Sequence, residues 1–331
     1  MMKFFKAILV FTLIVFIVYQ LGPKPAPGQY TEGLYPIKDT GAALQRLVEA
    51  NESRYKLKPD NEARIIWDND SLKNRTEYAV IYLHGFSASQ EEGDPVHTHF
   101  AKKIGANIYL ARLSEHGKDT LDALYHMTAT SLWESAKEAF SIGKQIGKKV
   151  IIIGTSTGGS LALLLAAEQY PEIAGVILYS PNIAINNPMA WMSNNPWGLQ
   201  IGRMVLGGNN NIAGDDRELY KKYWNYSYRV ESITEVQQLL EEKMTPETFK
   251  QVNQPLLMLY YYKDDVHQDS TVKVSAMKEM FSQISTPAAK KRAVALPNTG
   301  NHVIGSYIKS KDLQSVEEET LKFTREILLK D

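Results

Sequence analysis

Residues 149–170 read KVIIIGTSTGGSLALLLAAEQY, and this stretch decides the fold. Val150 to Ile153 are apolar without alternation, as in a parallel strand buried on both faces. Residues 159–170 carry a second apolar run of helical length that Pro171 ends. Between the two lies Gly154-Thr155-Ser156-Thr157-Gly158, a Gly-x-Ser-x-Gly turn. A chain passing from a buried strand straight into a helix must bend sharply, and glycines at 154 and 158 remove side chains where backbones approach. Ser156 is then presented at the carboxyl end of the sheet, in front of the free N–H groups of a helix N-terminus. The plainer reading, a glycine-rich turn with no chemistry, fits the motif alone but not the strand and helix that flank it.

The same strand–helix rhythm extends outward. Residues 63–67 (ARIIW), 78–83 (YAVIYL), 107–113 (NIYLARL), 175–179 (GVILY), 256–261 (LLMLYY) and 292–296 (RAVAL) read as strands. Residues 131–146, 275–284 and 313–329 read as helices. This alternation predicts an α/β fold: a mostly parallel sheet with helices on both faces. Residues 182–250 interrupt it. A structureless loop of that length is implausible in a compact domain, so a helical cap is expected there, between core segments 29–181 and 251–331.

The N-terminus stands apart. Residues 7–21 carry no charge and follow Lys3 and Lys6. As a helix this run spans roughly 22 Å, or about 27 Å with Phe4 and Phe5, close to the roughly 30 Å hydrocarbon core of a bilayer. Residues 1–28 are therefore expected to be a membrane anchor with a stiff linker, GPKPAPG, at 22–28. Cleavage as a signal peptide is the alternative. Lys3 and Lys6 on the short side place the catalytic body outside the cytoplasm.

Composition excludes other classes. The 331 residues contain 37 basic and 37 acidic side chains, which argues against a nucleic-acid partner held by bulk charge. With no cysteine there is no disulfide, thiolate metal site or cysteine nucleophile. His97 and His99 form a weak His-x-His pattern with no Asp-His pair to complete a hydrolytic metal site, so no metal is expected there.

A nucleophilic serine needs a base and an acid that orients that base. His302 follows the last strand through a loop containing Gly300 and is the expected base. The acid is expected just after strand 256–261, where Asp264 is preferred over Asp265, and Asp269 is the third choice, read otherwise as a helix cap. His84-Gly85-Phe86 follows the strand at 78–83. The N–H groups of Phe86 and Thr157 are the expected oxyanion donors, with His84 bracing the loop and His116 supporting the site.

Together these motifs resemble the α/β-hydrolase superfamily over residues 60–331: His-Gly-Phe after an early strand, Gly-x-Ser-x-Gly after a central one, and the order Ser, Asp, His. Glu115-His116-Gly117 is similar to the Gly-His-Gly loop of the monoacylglycerol lipase, carboxylesterase and serine aminopeptidase branch, with Glu in place of the first Gly. The resemblance implies a cofactor-free serine hydrolase acting through an acyl-enzyme on Ser156, Asp264 and His302, with Phe86 and Thr157 as oxyanion donors. The expected substrate is a lipid-like or short-chain ester. Its acyl group would meet Trp191, Met192 and Trp197 in the Met- and Trp-rich cap. Two other functions fit less well. An aminopeptidase needs acidic cap residues, for which Glu235, Glu241 and Glu242 are available. An inactive, membrane-tethered binding module would not need the complete set of triad residue types.

Overall fold

The computed structural model describes residues 2–329. Nine strands and eleven helices follow in chain order. Helix α1 (Met2–Gln20) and helix α2 (Gly41–Glu52) precede β1 (Arg64–Ile66) and β2 (Thr76–Leu83). Next come α3 (Val96–Lys103), β3 (Asn107–Leu110), α4 (Ala129–Ile146), β4 (Gly147–Thr155), α5 (Thr157–Ala167) and β5 (Ile173–Tyr179). The segment between β5 and β8 holds α6 (Gly198–Leu206), β6 (Asn210–Ile212), α7 (Glu218–Tyr223), β7 (Ser227–Arg229), α8 (Glu231–Lys243) and α9 (Pro246–Gln251). The chain closes with β8 (Leu256–Tyr260), α10 (Val274–Gln283), β9 (Lys291–Ala295) and α11 (Leu313–Phe323).

Seven strands form one sheet in the order β1-β3-β2-β4-β5-β8-β9, with β1 antiparallel to β3 and every other pairing parallel. Strand β4 lies at the centre because residues 150–153 are apolar on both faces. Ile152 packs with Ile81, Leu178 and Met258 beneath α4 and α5, while Ile151 and Ile153 pack with Val80, Tyr82 and Leu259 on the side of α3 and α11. Along each strand neighbouring side chains fall in opposite layers, the two-residue period expected of a sheet covered twice. Burial of each such side chain contributes about 1.5–3 kcal/mol.

The segment between β5 and β8 is not purely helical. Strands β6 and β7 pair antiparallel, Asn210 with Arg229 and Ile212 with Ser227, and make a small hairpin beside α7 and α8. Three-residue strands of mixed polarity carry little periodic signal, which is why the sequence suggests helices alone.

Residues 22–30 are extended but are not a free spacer. The Pro23 carbonyl accepts the Trp197 N–H at 2.9 Å, Gly28 N–H donates to Glu242 at 3.1 Å, Gln29 N–H donates to Thr130 Oγ1 at 2.8 Å, and the Tyr30 hydroxyl donates to Glu242 at 2.8 Å. The linker is thus strapped along the body.

Candidate active site

The turn at residue 156 has the geometry its glycines anticipate. Ser156 sits at φ 51° and ψ −118°, on the left-handed side where a non-glycine residue costs about 1–3 kcal/mol. The surroundings hold it there: its N–H donates to the Tyr179 carbonyl at 3.0 Å, and its own carbonyl accepts from Gly159, Ser160 and Asn182. A Cβ on Gly158 would lie 1.9 Å from the Leu83 carbonyl oxygen, so only glycine allows α5 to start this close to β2.

The loop after β2 faces this turn. His84 is fully buried and braces it, with one ring nitrogen against the Gly85 carbonyl at 2.9 Å and Nε2 accepting the Leu113 N–H at 3.0 Å. His116 accepts the Ser87 N–H at 3.0 Å through Nε2 and donates from Nδ1 to the Ser114 carbonyl at 2.8 Å. Its ring also packs edge-on against Phe86. Burial drives both imidazoles toward neutrality, His84 well below the usual histidine range and His116 down to about 4. Neutral rings can accept these N–H bonds; charged ones could not. Among the described residues the N–H groups of Phe86 and Thr157 have no hydrogen-bond partner.

His302 arrives from the loop after β9 and lines the same cavity as Ser156. Its Nδ1 donates to Asp269 Oδ2 at 2.6 Å, and its Nε2 is buried with no partner among the described residues. No hydrogen bond joins Nε2 to the Ser156 hydroxyl here; such contacts are often long in unliganded sites. Burial pulls the imidazole pKa down, but the charge and hydrogen bond of Asp269, with help from Glu92, outweigh it and leave the pKa raised. Burial likewise pushes the Asp269 carboxyl up. The His302 charge and hydrogen bond, joined by the Thr271 and Val272 N–H groups, leave it below its ordinary value.

Asp264 is therefore not the carboxylate at the imidazole. It is exposed and accepts from the Val266 and His267 N–H groups and the His267 ring. Asp265 accepts the Tyr262 hydroxyl at 2.8 Å. The cause is a tight excursion at 262–268, closed by the Lys263 N–H to the His267 carbonyl and a bridge between Tyr262 and Gln268. It carries Asp264 and Asp265 into solvent and returns the chain to the end of β8, where the Asp269 N–H donates to the Tyr261 carbonyl. Asp269 does cap the next turn, as its neighbours suggest, but with Oδ1 alone, at 2.8 Å to Thr271 and 3.1 Å to Val272; Oδ2 is left for His302.

The cavity over Ser156 has a volume of ≈ 640 Å³. Its apolar wall is Phe86, Tyr220, Trp224, Tyr228, Ile233 and Val236, with Glu92 among the polar lining. Trp191, Met192 and Trp197 are absent from this wall. Trp191 is 53 % exposed, Met192 closes the short turn Ala190–Met192, and Trp197 is tied to the N-terminal segment through Val18 and Pro23. From the segment between β5 and β8, the cavity is lined by Tyr220 of α7, Trp224 just after it, Tyr228 of β7, and Ile233 and Val236 of α8, among others.

Among the described residues no cluster of three or more His, Cys, Asp or Glu is arranged to hold a metal. His97 is buried in α3, its Nε2 on the Gln90 carbonyl at 2.8 Å, while His99 pairs with Glu317 at 2.8 Å, so the His-x-His pair diverges.

The family model described as Serine aminopeptidase, S33 matches residues 75–297, more than half the chain, and the protein belongs to that family. A search of curated proteins finds no match. The fold is the α/β-hydrolase fold. A structure described as "LipS and LipT, two metagenome-derived lipolytic enzymes" is similar with TM-score 0.65 and 19 % identity, covering 82 % of this chain and 99 % of the other. The monoacylglycerol lipase of Paleococcus ferrophilus is similar with TM-score 0.57 and 13 % identity, covering 79 % and 96 %. Est1E from Butyrivibrio proteoclasticus is similar with TM-score 0.54 and 17 % identity, covering 80 % and 95 %. At these identities the likeness is one of fold. The protein is a hydrolase of lipase- and esterase-like architecture.

Proposed function

We propose that the protein is a serine hydrolase that cleaves carboxylic esters through an acyl-enzyme, with Ser156 as nucleophile, His302 as base and Asp269 as the orienting acid. The observation that carries this reading is the 2.6 Å bond from His302 Nδ1 to a buried Asp269, in a cavity shared with a serine on a strained turn. In this reading Ser156 Oγ attacks the ester carbonyl carbon and its proton passes to His302 Nε2. The Phe86 and Thr157 N–H groups receive the oxyanion, a contribution typically worth several kcal/mol of barrier. His302 then protonates the departing alcohol and deprotonates the water that releases the acid.

An ester with an apolar acyl group suits the aromatic and aliphatic wall of the cavity. Against an aminopeptidase stands the employment of the acidic cap residues elsewhere. Glu242 is held by Gly28 and Tyr30, Glu235 by the Ala129 N–H, and Glu241 by Asn194 and Gln237. Glu92, which does line the cavity, is turned onto the Gly85 N–H. A panel of p-nitrophenyl esters, monoacylglycerols and aminoacyl amides offered to the full-length protein tests the assignment. Turnover of esters with amides untouched is expected, and turnover of aminoacyl amides alone overturns it.

Helix α1 belongs to the same proposal as a membrane anchor, with the hydrolase body outside the cytoplasm. Lys3–Gln20 is apolar, with mean hydropathy 1.9, and none of it is buried against the body. Nineteen helical residues span about 28 Å, the thickness of the hydrocarbon core. The test is fractionation of the intact chain: it should remain with membranes after an alkaline wash and yield the uncleaved N-terminal peptide by mass spectrometry. A mature protein beginning near residue 28 contradicts the anchor.

A further inference from the structure

Glu92 is a buried carboxylic acid with no Lys or Arg paired to it among the described residues. It lies in the short turn Gln90–Gly93, is 2 % exposed, and makes no ion pair with Lys or Arg among the described residues. Its Oε2 accepts the Gly85 N–H. A Cβ placed on Gly85 would lie 2.8 and 2.9 Å from the two carboxyl oxygens and 3.0 Å from Ser156 Cβ. The acid and the serine therefore both pack against the face of Gly85 where a side chain would stand.

The groups around it are few. Tyr82 of β2 lies beneath it with its hydroxyl on Thr155 at 2.9 Å, Tyr220 of α7 faces it across the cavity, and His302 is the one group of opposite charge that acts on it. His97, five residues further on, is buried and held neutral. Burial pushes the Glu92 carboxyl up to about 7, against the opposing pull of the Gly85 N–H and of His302. An unpaired buried acid weakens a fold, so its presence here calls for a role in the site.

Resting on the serine-hydrolase reading above, we propose that Glu92 is a positioning residue of the reaction: it holds the Gly85–Phe86 peptide so that the Phe86 N–H points at the oxyanion, and it gives His302 a second carboxyl partner besides Asp269. The first role follows from the bond to Gly85, the residue directly before the oxyanion donor. The second follows from charge. When His302 takes the serine proton it becomes a cation between two carboxyl groups, and the ionised form of Glu92 favours that cation.

The rate at which a fluorophosphonate labels Ser156 in the full-length protein tests this without knowledge of the natural substrate. In that step the Ser156 Oγ–P bond forms, the P–F bond breaks, fluoride leaves and the serine proton goes to His302, so the rate rises with pH as His302 becomes neutral. Glu92→Gln keeps an acceptor for the Gly85 N–H and removes the charge. Its rising limb should move to lower pH by on the order of half a unit, because a negative neighbour no longer favours the imidazolium. Glu92→Ala also releases the peptide, and its plateau rate should fall by on the order of tenfold or more. Superimposed limbs for wild type and Glu92→Gln, with a Glu92→Ala plateau within about twofold of wild type, overturn the proposal and reduce Glu92 to packing. If either variant fails to fold, the wild-type protein decides. The downfield Nδ1 proton of His302, followed by NMR, should titrate in two steps if Glu92 is coupled to it, and a single step overturns the coupling. A folded wild type that is not labelled at all sinks the hydrolase reading itself, a result distinct from labelling without a limb shift.

Discussion

Replacing Asp269 with Asn should abolish most of the activity while leaving the fold intact. The carboxyl is 1 % exposed; Oδ1 accepts from Thr271 at 2.8 Å and from Val272 at 3.1 Å, and Oδ2 accepts from His302 Nδ1 at 2.6 Å. In asparagine only the carbonyl oxygen can accept two backbone N–H groups, so the amide NH₂ is turned toward His302. A donor facing Nδ1 selects the tautomer that carries its proton on Nε2. That tautomer cannot take a proton from Ser156, and the imidazolium also loses its counter-charge. The corresponding change in a serine protease triad lowers kcat about 10⁴-fold, or about 5 kcal/mol of barrier. Hydrolysis of a short p-nitrophenyl ester, with circular dichroism as the check on folding, should show at least about a 10³-fold loss for Asp269→Asn. Asp264→Asn should stay within about threefold of wild type, because Asp264 bonds only to its own exposed turn. The reasoning is refuted if the folded Asp269→Asn protein keeps more than about a tenth of the activity, or if Asp264→Asn is the damaging change.

Other consequences reach beyond that pair. Glu92, raised in the folded state to about 7 from 4.5, contributes stability that is fully present below its unfolded pKa and is lost as pH rises through the folded one. The stability difference between wild type and Glu92→Gln should therefore shift by up to about 3 kcal/mol in the variant's favour between pH 4 and pH 8, read by urea denaturation; a constant difference contradicts the burial argument. Gly158→Ala places a Cβ 1.9 Å from the Leu83 carbonyl and 2.6 Å from that of His84, two backbone atoms that cannot swing away. It should cost more than about 3 kcal/mol or fail to fold, and a stable, active variant would mean that α5 and β2 are not this close. Deleting residues 1–20 removes a helix with no buried window and, with it, the bond from the exposed Trp197 indole to the Val18 carbonyl, and leaves the straps at Pro23, Gly28 and Tyr30 in place. The product should leave the membrane fraction with its stability changed by less than about 0.5 kcal/mol, and a protein still bound to membranes contradicts the anchor.

The sheet was legible in the sequence because its strands are short β-branched runs and the Gly-x-Ser-x-Gly turn joins a strand to a helix. That Ser156 and His302 share a cavity could be anticipated, because Ser156 follows β4 at once and a loop with Gly300 carries His302 back from β9. Which carboxylate meets His302 could not, because the excursion at 262–268 makes the residue that returns to the sheet end the sixth after Lys263 and not the first. Asp269 also looks like an ordinary turn cap, which it is on one oxygen only. The lining of the cavity was not legible for a different reason: residue type says that a segment is sticky, but only packing says which side chains turn inward. Trp191 faces outward while Trp224, from the same segment, is 3 % exposed and lines the cavity. Glu92 carries no sequence signal. Two adjacent glutamates do not show which one is buried: Glu91 reaches Tyr307 at the surface, and Glu92 turns in to the Gly85 N–H.

Mass spectrometry of the intact chain after exposure to a fluorophosphonate tests the central claim most directly. One adduct is expected, on the peptide bearing Ser156, absent from Ser156→Ala and formed orders of magnitude more slowly in His302→Ala. A folded wild type that takes up no label, or takes it up on another residue, contradicts the account.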